Sequence, residues 1–337
     1  MTTTSIQTLR DRSAEIGREL AAAAGPHERA AVAPTAEILR LQSSGIAALA
    51  VEPNAGGPGG TIADAAATAL ELARGDLAIG LLAAGHHAGI VGLRAAATER
   101  AVAAQIEIRT RGWLVAPAWP GALVPGGDLV DALVVPRGRD AEIVLSADPG
   151  LRRGAPVTAF GLRRLGIVPV DIETDGDAAG LDAVRSVLEA AALVGAGQAS
   201  VDAATELTRV RTIPRPVPGV ASATADPLSQ VVLGAALGPF AAARALVFRA
   251  ADRLDAQLDA GDVLGEDGAR TLALAALEVA IAAALGQGRD VFEVVGTSGS
   301  GNAHGYDRLW RDARVFSLTR DAAARRQALG RAALVAA

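Results

Sequence analysis

Between Gln105 and Asp177 the spacing of apolar residues changes from helical to strand-like, and after Asp177 it changes back. A stretch with period two cannot join a helix bundle without exposing half of its apolar set, so this switch dictates helices, then a small β-region, then helices again. The strand-like runs are Ile106 to Ile108, Trp113 to Val115, Ala132 to Val135, Ile143 to Leu145, Pro156 to Phe160 and Ile167 to Ile172. Pro and Gly punctuate them. The expected fold is mostly α with a small β-domain: an N-terminal helical domain over 1–105, an antiparallel β-domain over 106–177 and a C-terminal four-helix bundle over 178–337.

The helical flanks carry start and stop signals of their own. Leu9, Ile16 and Leu20 share one helical face, and Ile38, Leu39 and Leu41 open a second stripe after Pro34. The cluster Gly56-Gly57-Pro58-Gly59-Gly60 cannot continue a helix. Thr61, three residues before Asp64, predicts a capping box, and Asp76 predicts the cap of a further helix running past His87. Beyond Asp177 the helical windows are 181–211, 227–258, 266–286 and 288–295, with Asp226-Pro227 as a start signal and a proline-rich link over 212–219.

Composition narrows the chemistry. Half of the residues are hydrophobic but only 3% are aromatic, so the core must be Ala, Leu, Val and Ile packed closely, as helix bundles pack. All 32 basic residues are arginine, and cysteine is absent. Disulfides, thiol nucleophiles, thiolate metal sites, lysine Schiff bases and lysine phosphate loops are thereby excluded, and no metal site is expected. The net charge of −5, with scattered arginines, argues against a nucleic-acid partner. The charged first twenty residues are no signal peptide, and the apolar window Leu77 to Val91 is too short for a bilayer. A cytoplasmic protein without a membrane partner is expected.

Several segments, taken with the domain order, resemble the acyl-CoA dehydrogenase superfamily. These are Pro53 with Gly56, Gly57 and Gly59; Glu71 to Asp76; Gly195-Ala-Gly197; Asp226-Pro227 with Gln230; Gly296-Thr297-Ser298-Gly299; and the octet Asp307-Arg-Leu-Trp-Arg-Asp-Ala-Arg314. The Trp-Arg-Asp core of the octet looks more like the flavin monooxygenase branch, of the dibenzothiophene monooxygenase type, than like the dehydrogenases. The resemblance implies a homo-oligomeric oxidoreductase, dimer or tetramer, that uses FAD or FMN on a small hydrophobic or aromatic substrate, with reduced flavin from a separate reductase. It also implies that His87 is catalytic beside the flavin, with His86 next to it, and that Arg211, Gln230, Gly296, Thr297, Ser298, Gly299 and Trp119 bind the cofactor.

Physical chemistry bears on each of these residues. Neighbours on a helix point about 100° apart, so at most one of His86 and His87 can face a given pocket. An imidazole can exchange a proton near neutral pH, whereas a structural histidine is satisfied by backbone. Arg211 suits a phosphate, or simply the C-terminal dipole of its own helix. The alternating charges of the octet fit an ion-pair network that locks the bundle. Three departures from the family stand out. The dehydrogenases' glutamate base falls at about Ala303, the monooxygenases' histidine falls at Thr319, and the β-domain is short. They leave two alternatives open: a flavin-free lyase, isomerase or scaffold, and an acyl-CoA dehydrogenase.

Overall fold

The computed structural model describes residues 4–138, 140–210, 219–266, 268–299, 301 and 305–335, and among these the side chains of 297–299 are not described. The N-terminal domain consists of α1 (Ile6–Arg29), α2 (Thr35–Ser44), α3 (Ile62–Gly75), α4 (Leu77–Ala96) and α5 (Glu99–Arg111). Leu9, Ile16 and Leu20 are buried, as their stripe predicts. Leu39 is 60% exposed, so Leu41 carries the second stripe instead. The Thr61–Asp64 capping box forms in both directions, and Asp76 caps α4 through the amide of Ala78. Asp255 accepts from the amides of Ile62 and Ala63 at 2.6 and 3.0 Å, tying the start of α3 to the bundle.

Helix α4 runs through the middle of the molecule and exceeds its apolar window, reaching 20 residues. By length and composition it could cross a membrane, as could Pro227–Ala260 and Ala269–Gly296, which corrects the expectation of a window too short to span. The physical reason lies in the last turn, where Gly92, Leu93 and the alanines prolong the helix beyond Val91. In the fold 89% of its apolar stretch is buried inside the protein.

Among the described residues six strands follow: β1 (Val115–Pro117), β2 (Ala122–Pro125), β3 (Ala132–Arg137), β4 (Asp140–Leu145), β5 (Arg152–Arg153) and β6 (Ile167–Asp171). They form two three-stranded sheets, ordered β1-β3-β4 and β2-β6-β5. The pairing is antiparallel except between β1 and β3, which run parallel, a correction to the expected all-antiparallel domain. Two expected strands are also corrected. Ile106 to Ile108 belongs to α5, because Thr98 caps that helix and one turn buries only Ile108 of the pair. Pro156 to Phe160 forms only a single bridge, Val157 to Ile167.

The bundle consists of α6 (Ala179–Val210), α7 (Pro227–Ala260), α8 (Ala269–Gly299) and the shorter α9 (Asp307–Leu318), followed by α10 (Ala322–Val335). The windows 266–286 and 288–295 are therefore one helix; glycines at 286 and 288 do not stop it, and its break comes at Gly296, where φ is 63° and ψ −164°. Asp226 caps α7 with Pro227 in the first turn. Gly195 allows α6 to approach α3 so closely that a Cβ there would lie 2.2 Å or less from backbone, against the carbonyl oxygen of Leu70 at 2.1 Å.

Segment 160–164 joins all three parts. Arg164 is buried and donates to Asp76 at 2.5 Å, to Glu37 at 2.5 Å and to the carbonyl of Val32 at 3.0 Å. Leu162, in the left-handed region at φ 49°, donates its amide to Asp312 at 2.6 Å. Arg311 donates to Glu28 of α1 at 2.6 Å and to the carbonyl of Phe160 at 2.8 Å. The octet thus performs the locking role that its charges predict, across α1, the β-domain and the bundle.

Candidate active site

A cleft of about 520 Å³ lies where the β1–β2 connection meets the bundle. One wall is Trp119 and Gly121 to Leu123; the other comes from the start of α6, the start of α8 and the α9–α10 turn, with Asp182, Arg185, Arg270, Leu274, Thr319 and Arg320. Its floor is a ladder of buried ions. Arg185 donates to Glu189 at 2.7 Å and to the carbonyl of Leu123 at 3.0 Å, and its guanidinium lies 5.3 Å from the Trp119 ring centroid. Arg320 donates to Asp182 and Ser186 at 2.7 Å each and contacts the far oxygen of Glu189 at 3.4 Å, an ion-pair distance without hydrogen-bond alignment.

Burial lowers the Arg185 pKa, with Glu189 opposing the shift. Burial acts in the same direction on Arg320, but Glu189 and Asp182 outweigh it and the net shift is upward. Arg270 is different. Among the described residues its Nε is buried with no hydrogen-bond partner, and it pairs with Asp182 at 3.8 Å. The cleft therefore offers an aromatic face, a fixed cationic floor and one exposed guanidinium only loosely paired with its carboxylate. Thr319 spends its hydroxyl on the carbonyl of Phe316 at 2.8 Å.

Neither histidine opens onto this cleft. The His86 Nδ1 accepts from the amide of Val115 at 3.2 Å, so the proton sits on Nε2, which donates to the carbonyl of Ala47 at 2.7 Å. Both nitrogens are spent on joining α4 to the first sheet and to the turn at Ile46–Ala48. Burial drives the His86 pKa down to about 4. His87 is fully buried, its pKa pushed down by burial and by His86, and both its nitrogens lack partners. Gly80, two turns earlier on the same face, lies against Ala73 and Ala69 of α3, whereas Gly89 lies against Val115 and Val134. At about 100° per residue, His87 is roughly 20° from the first and roughly 160° from the second. It points towards α3, away from the β-domain.

The residues expected to hold a cofactor fall into two groups. Trp119 is in the cleft. Gln230 is exposed at the start of α7 and donates to the carbonyl of Thr224 at 2.9 Å. Gly296 marks the kink near the end of α8, and Thr297, Ser298 and Gly299 follow it in helix. Leu233 of α7 packs with Val291 and Val295 of α8 and Ala204 of α6, so Gln230 and Gly296 share the far end of the bundle. From Arg185 to Ala204 along α6 is about 30 Å at 1.5 Å per residue. Arg211 and Ala303 lie outside the described residues. Arg185, Glu189, Arg270 and Arg320 were not singled out from sequence, although Arg185 and Glu189, four apart in an otherwise apolar stretch, carry the signature of a buried pair.

A helical domain, a small β-domain and a helical bundle, with the cleft between the last two, define the acyl-CoA dehydrogenase fold. The FMN-bound dibenzothiophene monooxygenase from Paenibacillus sp. A11-2 superposes with a TM-score of 0.82 at 19% identity, over 96% of each chain. Butyryl-CoA dehydrogenase from Megasphaera elsdenii gives 0.80 at 16% identity, over 99% of each chain. Residues 187–320 match the family model "Acyl-CoA dehydrogenase, C-terminal domain". Dibenzothiophene monooxygenase of Rhodococcus erythropolis is 33% identical over 138 residues, 40% of this chain and 33% of that protein. The match spans about a third of the length of these curated relatives. The chain therefore has the acyl-CoA dehydrogenase fold, its residues 187–320 match that family's C-terminal domain, and over that region it is similar to the monooxygenase branch.

Proposed function

We propose that this chain is a cytoplasmic flavin-dependent oxidoreductase of the monooxygenase kind, acting on a small hydrophobic or aromatic substrate with reduced flavin delivered by a separate reductase. The observation that carries the reading is the cleft at Trp119. Its volume falls within the ~300–1,000 Å³ of small-molecule sites, and the exposed guanidinium of Arg270, only loosely paired with Asp182 at 3.8 Å, lines it. These features fit a flavin: Trp119 offers a face for a planar ring, and Arg270 a donor for its polar edge or phosphate.

Trp119 and Arg270 would hold the flavin, which when bound would supply the electrons for oxygen chemistry. The chain's own residues bind and orient. Leu123 and Leu274 give the substrate apolar contact, while Arg185 and Arg320 are fixed by carboxylates and stay in place. Gln230 and Gly296 belong to the same proposal only through a second subunit, whose bundle end would reach the phosphate of a flavin bound here, since about 30 Å separates them from the cleft within one chain. We place the subunit interface on the bundle, because α7 leaves Leu228, Val231 and Leu237 exposed on more than one of its faces.

One observation favours the flavin-free alternative: the cleft floor is made of ion pairs, not of the apolar surface that normally lines a ring site. An oxygen-uptake assay separates the two. With a flavin reductase, FMN and a heteroaromatic sulfide or indole, the flavin reading requires an oxygenated product that depends on this chain. No product with either flavin, under conditions where the reductase turns over, would remove it.

A further inference from the structure

A second cavity, of about 510 Å³, lies beside the octet, between the end of α1, the segment at Phe160 and the first turn of α9. Its walls carry four arginines, Arg29, Arg163, Arg308 and Arg311, against two carboxylates, Glu28 and Asp307. Arg311 engages both acids, Glu28 at 2.6 Å and Asp307 at 2.7 Å. Four positive and two negative groups leave an excess of two positive charges on the cavity wall. Arg163 is exposed and Arg308 half-exposed, and neither makes a hydrogen bond or ion pair among the described residues. The first turn of α9 opens at the same place with no side-chain cap, adding the positive end of a helix.

An aromatic wall stands beside these charges. Phe160 is 51% exposed, and its ring lies 6.2 Å from that of Trp310, itself 39% exposed, in a chain with few aromatics. The closeness is enforced. Gly161 sits so near α9 that a Cβ would lie 2.1 Å from the carbonyl oxygen of Arg311, which pins Phe160 at the rim. The exposed Arg163, the Arg308 guanidinium within electrostatic range of Asp312, a helix start with no described side-chain cap and an exposed ring around one cavity suit a dianion attached to a planar group.

We propose that this cavity binds a phosphomonoester carried on an aromatic group, a mononucleotide in chemical class, with phosphate on Arg163, Arg308 and the start of α9, and with the ring against Phe160. The phosphate could belong to free nucleotide or to FMN in transit, and both share this chemistry. The test is calorimetric titration of the full chain with AMP, adenosine, inorganic phosphate, FMN and riboflavin. Adenosine should bind at least tenfold more weakly than AMP, and AMP binding should weaken tenfold or more in both Arg163→Gln and Arg308→Gln. Phe160→Ala should weaken AMP but spare inorganic phosphate. If FMN competes with AMP here and riboflavin does not, the source is the flavin; if neither competes, it is free nucleotide. AMP and adenosine binding equally, AMP binding unchanged in the arginine variants, or no heat with AMP or phosphate would each overturn the proposal. Arg163 supports no described contact, so its substitution leaves the fold intact.

Discussion

The amide of Leu162 donates to the carboxylate of Asp312 at 2.6 Å, and this bond fastens the β-domain to α9 across 150 positions of chain. Burial raises the Asp312 pKa from 3.8 to about 7. Between those values the folded protein holds a proton that the unfolded chain releases. The stability contributed by this group is therefore full below the unfolded pKa and lost as pH rises through the folded one. Asp312→Asn keeps an acceptor for Leu162 and removes the charge. It should unfold at higher denaturant than wild type at about pH 8, by an amount on the order of a few kcal/mol, and match wild type at about pH 4.

The two histidines act with the opposite sign. His86 falls from 6.5 to about 4, and His87 is also depressed, so both are neutral when folded and take up protons on unfolding. Their stabilisation is present above the ordinary histidine value and is lost as pH falls towards that of the folded state. Two protons gained against one lost by Asp312 leave a net loss of stability on acidification, visible in denaturation curves between about pH 6.5 and pH 4.5. His86→Leu should cost about 1–3 kcal/mol by orphaning the amide of Val115 and the carbonyl of Ala47. His87→Leu removes two unpaired nitrogens from the core and should be neutral or stabilising.

How much of this was legible in the sequence follows from which signals are local. Caps at Thr61, Asp76 and Asp226 are decided within three residues, and each forms as read. The octet was legible because paired charges at helical spacing have few other uses. The direction of His87 was not legible, since it depends on which face of α4 meets the β-domain, a tertiary fact set by Gly80 and Gly89. Ile106 to Ile108 misleads because two isoleucines separated by one residue satisfy a strand pattern over three positions, while the helix is decided by Thr98 well upstream. The cleft escaped notice because Trp119, Arg185, Arg270 and Arg320 are far apart in sequence.

The ladder under the cleft yields a prediction about its own energetics. Glu189→Leu leaves Arg185 and Arg320 buried with reduced counter-charge and should cost about 3–5 kcal/mol. The double variant Arg185→Leu/Glu189→Leu should recover part of that loss in denaturant unfolding, because a buried pair is replaced by packed apolar groups. A double variant less stable than Glu189→Leu alone would show that Arg185 holds the fold through Leu123 and Trp119 instead.

The exposed apolar residues of α7 predict assembly. Val231→Asp and Leu237→Asp place charges at positions that are 67% and 51% exposed in the single chain, so the fold of one chain should tolerate them. Sedimentation should show wild type as a dimer or tetramer at micromolar concentration and the variants as smaller species. A wild-type monomer, or variants of unchanged mass, would place the interface elsewhere or remove it.

The central claim is that a flavin binds at Trp119, and direct titration tests it. FMN and FAD are added to the purified protein under reducing and oxidising conditions while flavin absorbance and tryptophan fluorescence are followed. The account predicts saturable binding of at least one of them, weakened tenfold or more in Trp119→Ala and in Arg270→Ala and nearly unchanged in His87→Leu. Saturable flavin binding that both cleft variants leave intact, or no binding of either flavin to a folded wild-type protein, would contradict it.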